Sequence, residues 1–224
     1  MDVKESLTYV TRDKDWIIKV LMSFIPIVNI GILMRIIRNV ALEKEYPIPS
    51  TSEISDLFRE GLTGFLAMFL LMFVIAIPMT ILIILFSGLG ILLGIIGSQA
   101  DASASIMVMI VFYILVSLFS ILYSFFMNII APVIWIRISL VKEFGQVFAF
   151  AQLLKFTREN FGHLFKIALY SFGLIFAAWF VAMLTMGLGL FILQPLLMFA
   201  MYHLYGQLLR ITGGFDDLRL EDII

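Results

Sequence analysis

The feature that most restricts this chain is the length of its uncharged runs. No Asp, Glu, Lys or Arg occurs from Gly61 to Ala100, from Ala102 to Ile136, or from Ile167 to Leu209. Each run exceeds the roughly 20 residues that carry a helix across a bilayer. Composition points the same way. The chain is 62% hydrophobic and 14% charged with a mean hydropathy of +1.08, where a soluble domain is about half apolar and about one quarter charged. A soluble globular fold is excluded, and an all-α polytopic transmembrane helical bundle is predicted.

Three runs do not mean three helices. At about 1.5 Å per residue the last would be roughly 65 Å long, twice the hydrocarbon thickness, so it should fold back on itself. Gly187-Leu188-Gly189 is the natural turn, separating a span of about 167–186 from one of about 190–209 that contains Gln194-Pro195, a kink signal. By the same argument, 61–100 holds one span near 65–86, a turn at Ser87-Gly88-Leu89-Gly90 and an apolar tail too short to cross. Asp101 stands among small polar residues that read as a turn at the membrane face, and the next span covers about 106–130 with Pro132 near its end.

The first apolar stretch, Val20 to Met34, is short and interrupted by Pro26 and by Asn29 to Gly31. Residues 16–37 therefore form either a re-entrant hairpin or a short spanning one. Basic residues favour re-entry, because with four full spans all fifteen Lys and Arg fall on one side, the cytoplasmic one. Both termini are then cytoplasmic. The start, Met1 to Asp15, lacks the pattern of a signal peptide, so the mature chain is expected to begin there.

Residues 1–224 read as a single membrane domain with three polar additions. A cytoplasmic linker at 39–60 contains Pro47 and Pro49, and Ser50 to Glu53 resembles a capping box opening a short helix that runs to Glu60. An interfacial helix at 142–160 places Phe144, Val147, Phe148, Ala151 and Leu154 on one arc, with Phe150, Leu153 and Phe156 off it. The acidic tail at 211–224 follows a helix stop at Gly213.

A shift of 99 positions aligns Asn29 with Asn128, Arg38 with Arg137, Arg59-Glu60 with Arg158-Glu159, and Gly88-Leu89-Gly90 with Gly187-Leu188-Gly189. This suggests a parallel internal duplication with halves at about 16–100 and 115–210. Transporters use such repeats to build a site between halves, although duplication can equally build a bundle and nothing more.

The polar residues within the apolar segments are few. Asn29, Asn128 and Gln194 are candidate intramembrane contacts, since an unpaired amide in hydrocarbon is costly and each should bond backbone or a neighbouring helix. His203 lies in Tyr202-His203-Leu204-Tyr205-Gly206-Gln207, read as a hydrogen-bonded residue of an interfacial belt or as a headgroup or substrate contact. Arg59, Glu60, Arg158 and Glu159 are candidate ion pairs at the cytoplasmic face or solvated helix ends. Gly90 with Gly94, and Ala178 with Ala182, have the small-xxx-small spacing that lets helices approach. Two histidines and no cysteine make a metal site improbable, and no catalytic constellation is visible. No cofactor and no enzymatic activity are expected. A net charge of -1 provides no basic field for nucleic acid.

Phe24-Ile25-Pro26-Ile27 with Gly31, Arg35 and Arg38, then Pro47-Ile48-Pro49 leading to Asp56-Leu57-Phe58-Arg59-Glu60-Gly61-Leu62, resembles the opening of the domain of unknown function 4013 family of bacterial and archaeal membrane proteins. Leu154-Lys155-Phe156, Glu159-Asn160-Phe161-Gly162 and Tyr202 to Gln207 are similar to its second half, while Ile48-Pro49 departs from the Leu-Pro expected there. The resemblance implies a prokaryotic cytoplasmic membrane and no established activity. The expected function is that of a non-catalytic accessory or scaffold protein whose partners are the lipid bilayer and other membrane proteins or itself. The alternative is a small passive or lipid-related transporter with a pathway between the two halves near Asn29, Asn128 and Gln194.

Overall fold

The computed structural model describes residues 1–98, 102–141 and 144–223. It is 85% helical, which fixes the all-α class. The helices are α1 (Val3–Thr8), α2 (Trp16–Met22), α3 (Pro26–Ala41), α4 (Ile54–Ser98), α5 (Ala102–Leu140), α6 (Phe150–Glu159), α7 (Phe161–Leu184) and α8 (Leu188–Thr212). A small antiparallel pair follows, β1 (Gly214–Phe215) and β2 (Leu218–Arg219). Among the described residues four stretches are long and apolar enough to cross a membrane: Thr51–Val74, Ile106–Leu140, Phe161–Leu184 and Leu188–Thr212.

The chain divides into two compact units, Met1–Met68 with Asn128–Ile224, and Phe69–Met127. The first is organised around α8, against which α1, α3 and α7 pack. Helix α3 begins with Pro26 in its first turn, where the missing N–H is not needed. It buries Val28, Ile32, Leu33, Ile36, Ile37 and Val40 along one face. Its crossing with α4 depends on two glycines. A Cβ at Gly31 would overlap the Leu57 carbonyl, and one at Gly61 would overlap the carbonyl oxygen of Ile27. Neither glycine belongs to the small-residue pairs that sequence spacing had singled out.

The expected capping box is present, with Ser52 N donating to Ser50 Oγ at 3.3 Å and Ser50 N donating to Glu53 Oε1 at 3.3 Å. The helix it opens does not stop at Glu60, however, but runs on as α4 to Ser98. The turn expected at Ser87-Gly88-Leu89-Gly90 is likewise absent, since Gly88, Leu89 and Gly90 are all helical. A glycine weakens a helix by about 1 kcal/mol. Opening the helix in hydrocarbon would strand peptide groups at several kcal/mol each, so helix prevails. Helix α5 also outruns its predicted end near 130, continuing through Pro132 because Val133, Ile134, Ile136 and Ile138 are buried in packing. Asp101 lies outside the described residues.

Residues 16–37 form α2 and most of α3, broken at Ser23 to Ile25. At about 24 Å, α3 is shorter than the hydrocarbon layer. The interfacial segment differs from its predicted arc. Phe144–Phe148 is a 3-10 turn, Ala149 is not helical, and α6 starts at Phe150. The break shifts the helical phase, so that α6 buries Leu153 and Phe156 while Leu154 is 64% exposed. Residues 142 and 143 lie outside the described residues. Gly213, at φ 72°, ends α8 as its position implies.

The second unit, Phe69–Met127, contains the continuation of α4 and the first part of α5. Gly90 stands against the ring of Phe112, where an added Cβ would lie 2.9 Å from Cζ. Most described apolar side chains here point outward, among them Ile84, Ile91, Met107 and Ile121.

Candidate functional site

The polar surface of the first unit holds a cleft of about 810 Å³. Its walls come from the segment joining α1 to α2, from the second half of α3, from the Pro-containing linker and from the start of α4. Six cationic residues line it, Arg12, Lys14, Lys19, Arg35, Arg38 and Lys44, against three carboxylates, Asp13, Glu53 and Glu60. Every one of those carboxylates is already engaged. Glu60 accepts from Arg35 Nη2 at 2.7 Å and from Arg38, while Glu53 pairs with Arg35. Asp13 pairs with Lys19, whose Nζ also donates to the Ile48 carbonyl at 3.3 Å. Partial burial raises the pKa of the Asp13 carboxyl, but the Lys19 ammonium and the Asp15 backbone N–H outweigh that and hold it below its ordinary range. Arg12, Lys14 and Lys44 form no ion pair among the described residues.

The Arg-Glu pairs therefore have unequal fates. Glu60 is clamped by two arginines of α3, whereas Arg59 is exposed without an ion pair among the described residues. Arg158 is exposed and forms no ion pair among the described residues, and Glu159 approaches Lys155 at 3.8 Å along α6. The Gly-Leu-Gly copies differ too. Gly187 is a left-handed turn residue at φ 89°, while Gly88 to Gly90 is helix. The internal duplication gains no support from these positions.

A second polar cluster was not read from sequence. Arg137, near the end of α5, is fully buried. Its Nη1 and Nη2 donate to Asp217 at 3.1 and 2.7 Å, its Nε donates to the Gln146 carbonyl at 2.8 Å, and the guanidinium lies 4.9 Å from the Phe215 ring centre. The guanidinium holds Asp217 below the usual carboxylate range. Next to it, Asp216 pairs with Lys155 and Phe215 stacks on Phe156 at 4.5 Å. The Asp-Asp sequence between Phe215 and Leu218 was the available signal, since it is a turn composition that can form a hairpin.

His203 does not face a lipid belt. Helix α1 covers it, so it is buried, with the Tyr9 ring 4.3 Å away and Gln207 Nε2 3.2 Å from its Nδ1. Gln207 in turn binds the backbone of Asp2, accepting from N at 2.6 Å and donating to O at 3.0 Å. Gln207 thus joins Asp2 to α8 directly, and His203 contributes its ring against Tyr9 and a hydrogen bond within α8.

The three amides separate. Asn128 and Gln194 line one cleft of about 530 Å³ with Ser171, Ala178, Tyr202 and Tyr205, otherwise apolar and set among α5, α7 and α8. Asn29 lies elsewhere, and its buried Oδ1 has no hydrogen-bond partner among the described residues, contrary to the pairing expected of it. Ala178 and Ala182 are buried on α7. Gly94 has open space where a Cβ would go. Among the described residues no group of His, Asp and Glu could hold a metal ion.

The family described as a protein of unknown function, DUF4013, matches the chain over residues 18–205. No curated protein and no solved structure matches it.

Proposed function

This chain belongs to the DUF4013 family, and we propose that it is a non-catalytic integral membrane protein that serves as an accessory or scaffold component, associating with other membrane proteins or with itself. The observation that carries this reading is the excess of apolar helix in α4. Its 45 residues amount to about 68 Å of helix, and the uncharged part from Gly61 to Ser98 alone to about 57 Å. As a straight helix that length would need a tilt near 60° in a hydrocarbon layer of about 30 Å, outside the observed range of up to about 40°, and a bend at Pro78 would be the other way to shorten it. The remainder of a straight helix needs another apolar surface, and a neighbouring membrane protein is one. The Lys and Arg distribution supports both termini on the cytoplasmic side, and a prokaryotic cytoplasmic membrane is what the family resemblance implies.

The test is native isolation of the full chain in a mild detergent or nanodisc, with mass spectrometry of the intact particle. Stoichiometric partner chains or a defined homo-oligomer support the reading. A monomer that retains only lipid or solute overturns it in favour of a small passive or lipid-related transporter. That second reading draws on the cleft shared by Asn128, Ser171 and Gln194. Asn29, the third residue of the pathway expected between the halves, lies outside it.

A further inference from the structure

We propose that the basic cleft is a binding site for a phosphate-bearing anion at the membrane surface, with an anionic phospholipid headgroup as the ligand that fits it best. This rests on the membrane reading above, but not on the accessory role. The first argument is charge. With its three carboxylates bound by Lys19, Arg35 and Arg38, the cleft keeps three unmatched cations, Arg12, Lys14 and Lys44. A concave basic surface with low-dielectric walls concentrates counter-ions, and about 810 Å³ admits a whole headgroup rather than a lone ion.

The second argument is the helix beside it. On α2 the buried residues are Lys19 and Val20, while Ile17, Ile18 and Leu21 are 57%, 54% and 60% exposed, followed by exposed Phe24 and Ile25. Helices on soluble proteins turn charge outward and apolar groups inward. Here the order is reversed: an ammonium faces the cleft and an apolar edge faces out next to it. A phospholipid has the matching division, with its phosphate held by the cations and its acyl chains lying along Ile17, Ile18 and Leu21. A soluble phosphate would use the cleft and leave that apolar edge idle.

The experiment uses the full chain in nanodiscs. One variant combines Arg12→Gln, Lys14→Gln and Lys44→Gln, all three exposed side chains whose loss should leave the fold intact. A control of equal charge combines Lys4→Gln, Arg158→Gln and Lys166→Gln, exposed and outside the cleft. Phosphatidylglycerol retention is read by native mass spectrometry against phosphatidylcholine. A basic residue beside an anionic group is worth about fivefold, so the cleft variant should lose about a hundredfold in affinity for phosphatidylglycerol relative to the wild-type chain, and the control distinctly less. Glycerol 3-phosphate and inorganic phosphate, titrated into phosphatidylcholine discs, identify the source. Binding of these as tight as that of the lipid, and abolished in the cleft variant, keeps the anion site but replaces the lipid by a soluble phosphate. Equal retention of phosphatidylglycerol by the two variants, with no soluble phosphate bound, overturns the site. A partner protein lost or kept in the isolation test leaves this result unchanged.

Discussion

Arg137 and Asp217 are 80 positions apart in sequence and meet through two parallel hydrogen bonds. The guanidinium is the larger liability, because it is fully buried while the Asp217 side chain is 37% exposed. Removing the carboxylate leaves the buried charge with only the Gln146 carbonyl and the Phe215 ring, so Asp217→Ala should destabilise by about 2–3 kcal/mol, less than the loss of a fully buried pair because Asp217 is partly exposed. Asp216→Ala, which breaks only an exposed pair with Lys155, should cost less than about 1 kcal/mol. Thermal unfolding of the detergent-solubilised variants would compare the two. Acid gives the same contrast. Asp217 has a lowered pKa in the folded chain, so its contribution is complete above the unfolded carboxyl value near 4 and disappears as pH falls through the lower folded value. Thermal stability should therefore drop below about pH 4, less steeply in Asp217→Asn than in the wild-type chain. Sequence could list these residues but not join them. Arg137 looks like any other interfacial cation, and Glu60 like a helix end, until the hairpin after Gly213 returns Asp217 to the first and α3 brings Arg35 and Arg38 to the second, whereas the capping residues Ser50 and Glu53 act within a local stretch and their chemistry is readable there.

Among the elements, small residues at helix crossings separate spacing from contact. Gly90 and Gly94 satisfy the motif, yet Gly94 faces open space, while Gly31 and Gly61 satisfy no motif and accommodate each other's backbones. Gly61→Ala should cost about 1–3 kcal/mol by forcing α3 and α4 apart. Gly94→Ala should be neutral or stabilising by up to about 1 kcal/mol, since it only improves helix propensity. Unfolding midpoints of the two variants decide the matter, and equal losses would refute the crossing. The all-α class and the four candidate spans were legible because uncharged runs admit few alternatives. Their ends were not. Glycines that stop a helix in water remain inside one when the surroundings offer no competing hydrogen bonds, as Gly88 and Gly90 show in α4. Gly187 does turn, because Met186 and Gly187 take positive φ and Gly189 N donates to Thr185 Oγ1 at 2.9 Å. Nothing in the shared Gly-Leu-Gly triplet distinguishes these cases; the hydroxyl at Thr185 does.

For the whole molecule, an even number of crossings predicts that the N-terminus and the Met186 loop face opposite sides. The chain has no native cysteine. Single cysteines at Lys4, which is exposed, and at Met186, which is 96% exposed, should react with a membrane-impermeant reagent from opposite faces of oriented vesicles. Labelling from one face would mean that residues 16–37 cross as well. The polar clusters were less legible than the helical class. The six cations of the basic cleft are scattered over residues 12 to 44 among apolar residues, and their shared cleft exists only once α2, α3 and the linker have packed.

The hydrogen bonds between Asp2 and Gln207 span 205 positions, and they set an order of events during synthesis. The residues around Asp2 receive their partner only when α8 has been made. At 5–20 residues per second that interval is about 10–40 s. Throughout it, Tyr9 lacks the carbonyl of Phe199 and the ring of His203 that later bury it. The segment around Asp2 and Tyr9 is thus made long before α8 and is among the last parts to settle, so a nascent chain arrested before Gln207 should expose residues 1–15 to protease while the released protein protects them.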